Sequence, residues 1–403
     1  MKTVYKYYCC IIVGLGFLIS LSCSKMDEYK KFANGGEIVY PGIFDSLKVI
    51  PGNKRVLITG NMISDPKVTR YRIYWNDKSD SLDAPFVRSG VGIDTMKQIV
   101  PDLPEGPISL EVRSMDEAGN QSVPMYITGS VYGENFQQSI DLRGNRQVLS
   151  AKMKSDGSVE LTWEDVQDYV GNVGMRIHYI DAENKPRDTT VGNSSPNQVT
   201  ILPSAAIDQP ISYSTLYLPD MVGIDSMSVA EATLPLISEV ELLNNVQPFK
   251  ALTSDGGRWG TLLDWISNDA ALSHSGNGGI DMNNNNKMYF EAGWGSPAIH
   301  NGKVYQVVTL PAGNYTLKAN MDWYNQGGGN QTYMVVAKGI NGLPDVDNVS
   351  TAFAYKRIET SWTDVSLNFT LTEKTTLSIG LAITMGEEGN LSTFNSIRLM
   401  INH

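Results

Sequence analysis

Two stretches of this chain repeat one another at a nearly constant offset. Val56-Leu57-Ile58-Thr59 matches Val159-Glu160-Leu161-Thr162, and Tyr71-Arg72-Ile73-Tyr74-Trp75 matches Met175-Arg176-Ile177-His178-Tyr179. Gln98-Ile99-Val100 then matches Gln198-Val199-Thr200, and Ser122-Val123 matches Ser228-Val229, at separations of 103, 104, 100 and 106 residues. Short alternating runs repeated at that spacing mean two copies of one β-domain with small differences in loop length. We place the copies at 38–128 and 129–236. One pair breaks the register: Val91–Met96 (VGIDTM) and Val222–Met227 (VGIDSM) lie 131 apart, which leaves coincidence or a modification motif.

The remainder, 247–403, is organised around Lys287–Ala337. Strand-like runs at Tyr305–Leu310, Tyr315–Trp323 and Thr332–Ala337 are separated by turns rich in Gly, Pro and Asn. In the second run Tyr315, Leu317, Ala319, Met321 and Trp323 share one face, so it reads as an antiparallel strand with one buried side. About eight such strands, with a helix-like interval at Gly260–Ile266, predict a jelly roll. Residues 234–246 join it to the second repeat. The expected fold class is all-β: two tandem immunoglobulin/fibronectin III-like sandwiches followed by a C-terminal jelly-roll β-sandwich.

The start of the chain bears on location. Lys2 and Lys6 precede an apolar run, Cys9–Leu21, too short to span a membrane, so 1–22 reads as a signal peptide. The three Cys (9, 10 and 23) all lie in the first 23 residues, which leaves the folded body without a disulfide framework, a zinc cluster or a thiol nucleophile. The net charge of −11 argues against nucleic acid as a partner. The four His are scattered, and the sequence holds no nucleophile elbow, zinc-protease motif or phosphate loop, so the expectation is a protein that is not an enzyme.

Several segments carry family likenesses. Ile19-Ser20-Leu21-Ser22-Cys23-Ser24 resembles the lipobox of bacterial lipoproteins, which implies lipidation at Cys23, with 23–37 as the lipidated Cys and tether. Asp27 and Glu28 resemble the acidic signal that sends Bacteroidetes lipoproteins to the outer face of the outer membrane. Asp-Ser/Thr steps at Asp45, Asp80, Asp94, Asp188 and Asp225 resemble the O-glycosylation acceptors of such exported proteins. The repeats look like fibronectin type III domains, with Trp163 in the second strand and late strands at Ile108–Val112 and Tyr213–Tyr217. Val304–Leu317, with its LPAGNYTL core, Trp362–Phe369 and Phe394–Leu399 look like the galactose-binding-type jelly roll of carbohydrate-binding modules. Together these resemble the Bacteroidetes starch-utilisation-type surface glycan-binding lipoproteins. The resemblance implies a lipid-anchored outer-membrane protein, facing the cell exterior, that captures a polysaccharide or oligosaccharide ahead of import, with a glycan-import complex as a further partner. The alternative is a structural or adhesive surface lipoprotein that binds a protein partner.

Five of the seven Trp follow residue 250, among Asn and Gly. Flat rings beside amides suit a sugar, whose C–H faces stack while its hydroxyls need partners. The candidate glycan-binding residues are Trp294, Tyr324, Asn325, Trp259 and Trp265. Trp294, between two glycines, is a ligand platform or a plug over the core. Of Trp259 and Trp265, six apart, at most one belongs to a site. Tyr324 and Asn325 close a strand before Gly327–Gly329, at the mouth of a sandwich. Trp362 is assigned to packing, Trp323 to packing or a rim, and the Asn283–Asn286 run to a solvated turn, with amides for sugar hydroxyls as its other reading. Glu291 and Asp322 are the carboxylates a glycosidase reading would use. No cofactor is expected. A structural calcium is left open, with Asp255, Asp281, Asp345 and Asp347 as ligands by chemistry alone.

Overall fold

The computed structural model describes residues 40–63, 65–89, 92–166, 171–194, 198–219, 222–325, 329–359 and 364–403. The signal peptide, Cys23 and Trp362 lie outside them. Among the described residues, no helix is long and apolar enough to cross a membrane. The chain is all-β and divides into two compact units, Met1–Gly133 with Val222–Asp225, and Glu134–Met221 with Ser226–His403.

The first unit is a two-sheet sandwich. β1 (Asp45–Pro51), β2 (Val56–Met62) and β5 (Asp94–Val100) form one sheet in the order β1-β2-β5. The other sheet runs β4 (Asp80–Pro85), β3 (Val68–Trp75), β6 (Gly106–Asp116), β7 (Met125–Val131). Alternation drives it: Val56, Ile58 and Met62 on β2 and Ile73 on β3 are fully buried, while their sequence neighbours face outward. This three-plus-four arrangement is that of a fibronectin type III-like domain. The segment Val222–Asp225 joins this unit through Asp225, whose carboxylate accepts from Arg55 Nε at 2.8 Å and from the backbone N–H of Asn53 at 2.9 Å.

The second unit repeats the pattern with β8 (Val148–Met153), β9 (Val159–Trp163) and β12 (Val199–Leu202) against β10 (Asn172–Ile180), β11 (Pro186–Gly192) and β13 (Ser212–Tyr217). Two short strands, β14 (Met227–Ser228) and β15 (Ala232–Thr233), both pair with β13. The sequence repeat is thus a repeat of structure: β2 matches β9, β3 matches β10 and β5 matches β12. Trp163 is fully buried, its indole N–H donating to Thr200 Oγ1 at 2.9 Å. Ahead of this sandwich stands one helix that the sequence reading missed, α1 (Glu134–Arg143), with Glu134 at its N-terminus, Arg143 at its C-terminus and Gly144 after it.

The connecting segment forms a strand, β16 (Glu239–Val240), that pairs parallel with Met153 of β8 and antiparallel with β28 (Asn390–Asn402). One sheet therefore runs from the second sandwich into the C-terminal region, and the two share a continuous core. The C-terminal sandwich has β17 (Ala251–Ser254), β18 (Trp259–Leu262), β20 (Gly279–Asp281), β21 (Lys287–Ala292), β23 (Gly313–Asn325) and β26 (Asp364–Leu371) with β28 on one sheet. On the other lie β19 (Ile266–Ser267), β22 (Ile299–Leu310), β24 (Gln331–Lys338), β25 (Ala354–Arg357) and β27 (Thr375–Met385). The expected helix-like interval Gly260–Ile266 is instead strand, turn and strand, because Trp259 and Gly260 pair with Asp281 and Ile280 and Asp264 turns at φ +65°. Gly157 shows how closely the pieces meet: at φ +82° it lets the backbone approach β22, where any Cβ would stand 2.7 Å from the Thr309 carbonyl oxygen.

Candidate functional site

β21 alternates strictly. Met288, Phe290 and Ala292 fill the core, and Lys287, Tyr289 and Glu291 face the other way. Its chain then reverses in two residues. The N–H of Gly293 donates to the Ser296 carbonyl at 2.9 Å and the N–H of Ser296 to the Gly293 carbonyl at 2.8 Å, with Trp294 and Gly295 between them at φ +54° and +95°. Two central residues at positive φ make the tight hairpin turn that ordinarily takes Asn-Gly. Trp in that position is strained, by about 1–3 kcal/mol, and strain of this kind persists at ligand clamps and active sites. The indole is 66% exposed and rests on Gly389, where a Cβ would lie 2.9 Å from its Cζ2.

A second Trp reaches the surface through a β-bulge. Along β23 the expected face is buried at Tyr315, Leu317, Ala319 and Met321, and then the pattern inverts. Met321 pairs with Phe394 and Tyr324 with Ser392, so Asp322 and Trp323 together oppose Thr393 alone. Thr393 Oγ1 accepts from the Trp323 N–H at 2.9 Å and lies 3.3 Å from the Trp323 carbonyl, to which it donates. The extra residue exchanges the two sides: Trp323 is 55% exposed and Tyr324 only 6%. This corrects the assignment of Trp323 to packing and of Tyr324 to the site. The Tyr324 hydroxyl faces inward, 3.4 Å from the Asn330 carbonyl.

Both exposed Trp line a cleft of about 500 Å³, together with Tyr289, Arg258, Asn284 and Asn325. Glu291 and Asp322 line it as well. Asn325 Nδ2 donates to the Gly389 carbonyl at 2.9 Å, which ties it to the seat of Trp294. The charges are paired. Arg258 donates through Nε to Asp281 at 2.9 Å and lies 3.3 Å from Glu291, whose other oxygen accepts from Ser296 Oγ at 2.9 Å. Burial works against the Arg258 charge, yet its bonds to Asp281 and the nearby Glu291 outweigh it and hold its pKa above the ordinary value. Lys287 forms an ion pair with Asp322. The Arg258 guanidinium also lies over the rings of Trp259, 4.2 Å from the centroid, and Tyr289, whose phenol burial raises in pKa.

Of the predicted residues, the structure brings Trp294 and Asn325 into this cleft. Trp259 stands behind it, half-buried, its ring stacked on His274 at 3.7 Å. Trp265 is a core residue, 6% exposed, with its indole N–H donating to the Asn244 carbonyl at 2.9 Å. Sequence reasoning missed Tyr289 and Arg258, favoured packing over a rim position for Trp323, and favoured a plain solvated turn over sugar-binding amides for the run that holds Asn284. The alternation within KMYFEA would have placed Tyr289 beside Glu291, whereas the bulge at Trp323 left no local mark. Three of the four carboxylates weighed for calcium have other partners: Asp281 holds Arg258, Asp345 pairs with Lys303 at 2.7 Å, and Asp255 Oδ1 accepts from the Gly257 N–H at 2.7 Å. Among the described residues, no group of three or more His, Cys, Asp or Glu could hold a metal ion.

Residues 23–227, just over half of the chain, match the family described as a domain of unknown function, DUF4998. The chain belongs to the DUF4998 family. Beyond the DUF4998 region, residues 243–380, which include most of the cleft, match a second domain of unknown function, DUF5013. No curated protein matches the chain. Among solved structures, a segment of two fibronectin type III domains from chicken tenascin aligns with 47% of this chain and 98% of its own, at 13% identity and a TM-score of 0.19. The first three fibronectin domains of chicken CNTN1 cover 91% of this chain and 100% of their own, at 12% identity and a TM-score of 0.17. At these TM-scores neither likeness carries an argument, and the sandwich assignment rests on the strand order itself.

Proposed function

We propose that the C-terminal cleft binds a polysaccharide or oligosaccharide, and that the chain is a lipoprotein, anchored through Cys23 in the outer membrane and facing outward, that captures this glycan ahead of import. The observation that carries the reading is the turn at Trp294: the chain holds a bulky residue in a strained conformation with most of its surface exposed, in one cleft with a second exposed Trp. Stacking platforms beside Asn284, Asn325 and carboxylate oxygens meet the two needs of a sugar ring, an apolar face and hydrogen-bond partners for its hydroxyls. We read the protein as one that acts by binding: Glu291 and Asp322, the carboxylates a glycosidase reading would use, each sit in an ion pair, with Arg258 and with Lys287.

The test is affinity electrophoresis of soluble residues 24–403 against plant, host and microbial polysaccharides, with reducing-sugar release measured alongside. Retardation without sugar release is expected. Trp294→Ala and Trp323→Ala should each weaken binding about tenfold, the equivalent of 1.4 kcal/mol. Undiminished binding in both variants would favour the alternative, an adhesive protein using its fibronectin III-like domains.

A further inference from the structure

Taking the glycan reading as its basis, we propose that this cleft selects uncharged sugars and rejects uronic-acid and sulfated ones. Around it stand three carboxylates, Asp281, Glu291 and Asp322, against two cations, Arg258 and Lys287. Arg258 is the one cation among the described residues lining the cleft, and it is divided between Asp281 at 2.8 Å and Glu291 at 3.3 Å. Lys287 is committed to Asp322. An anionic sugar could recruit Arg258 only by drawing it off Asp281 or Glu291, which are 4% and 6% exposed, and so leaving a buried carboxylate unpaired. The field left over is negative, and the net charge of the chain, −11, has the same sign. A neutral sugar disturbs none of these pairs. Its hydroxyls donate to carboxylate oxygens and amide carbonyls, and accept from amide N–H groups.

The experiment uses matched polymers that differ only in charge: polygalacturonate against its carboxyl-reduced form, and carboxymethyl- against hydroxyethyl-cellulose, within a wider panel of neutral and acidic glycans. Binding to soluble residues 24–403 is measured by calorimetry at 0.05 and 0.5 M NaCl, about a threefold change in screening length. The acidic member of a pair is expected to bind about tenfold more weakly or worse, with the gap narrowing in high salt and in Glu291→Gln and Asp322→Asn. Equal or tighter binding of the acidic member, still weakened in Trp294→Ala, would overturn the charge selection while leaving the glycan reading standing. Should no polymer bind, or should Trp294→Ala and Trp323→Ala bind as the parent does, the glycan reading falls and the selectivity with it.

Discussion

At the scale of the residue, Trp294 sets function against stability. Its turn favours Asn-Gly, so Trp294→Asn keeps the hairpin, relieves the left-handed strain and should stabilise the protein by about 1 kcal/mol in denaturant unfolding while weakening glycan binding about tenfold, as Trp294→Ala does. A loss of stability would instead make Trp294 a plug whose packing on Gly389 outweighs its strain. His274 gives the neighbourhood a pH dependence. Burial lowers its pKa from the ordinary 6.5, with the Arg258 charge acting the same way and the carboxylates Glu291, Asp255 and Asp281 opposing, and its Nε2 is buried without a partner. The unfolded chain takes up this proton as pH falls past about 6.5, whereas the folded state resists it. The stabilising contribution is therefore complete above that value and is lost as pH falls from 6.5 through the lowered folded pKa. Denaturant midpoints measured between pH 7.5 and 5 should decline less in His274→Gln than in the parent.

At the scale of the element, the bulge in β23 decides which aromatic is offered to solvent. Thr393, 2% exposed, closes it through its hydroxyl. Thr393→Val preserves shape and removes the acceptor for the Trp323 N–H, at a cost of about 1–3 kcal/mol. Unfolding midpoints should fall accordingly, and glycan affinity should fall too, since Trp323 loses its fixed position. Unchanged affinity in a destabilised variant would show that the second platform contributes nothing. The turn after β21 and the bulge in β23 meet one strand, β28, which pairs with both. This long strand gathers into one cleft Trp294 and Trp323, which lie 29 positions apart in the chain.

At the scale of the whole molecule, β16 joins the second sandwich to the C-terminal region. Val240 is fully buried and pairs on both sides, and the Glu241 N–H donates to the Met153 carbonyl at 2.7 Å. We expect calorimetry to show two unfolding transitions, one for each compact unit, and hydrogen exchange to show β8, β9 and β28 opening together. Val240→Asp should destabilise all three strands at once through an unpaired buried charge. Separate opening of β9 and β28 in the parent would show that β16 does not couple them.

Periodicity and spacing alone determined much of this protein: the all-β class, the tandem repeat with its equivalent strands, and the core face of Tyr315 to Met321. These follow from alternation along a strand and from copies at a fixed offset, both local properties. The glycines around Trp294 marked a turn, although only the turn's closure against Gly389 fixed the indole as exposed. Tertiary structure decided the rest. The inversion at Trp323 and Tyr324 arises from pairing with a strand 70 residues away, and Trp265 packs in the core with its indole N–H donating to the Asn244 carbonyl 21 residues back, so neither is written in its own neighbourhood. The cleft exists because β28 brings the turn and the bulge together, a long-range pairing that no local pattern encodes.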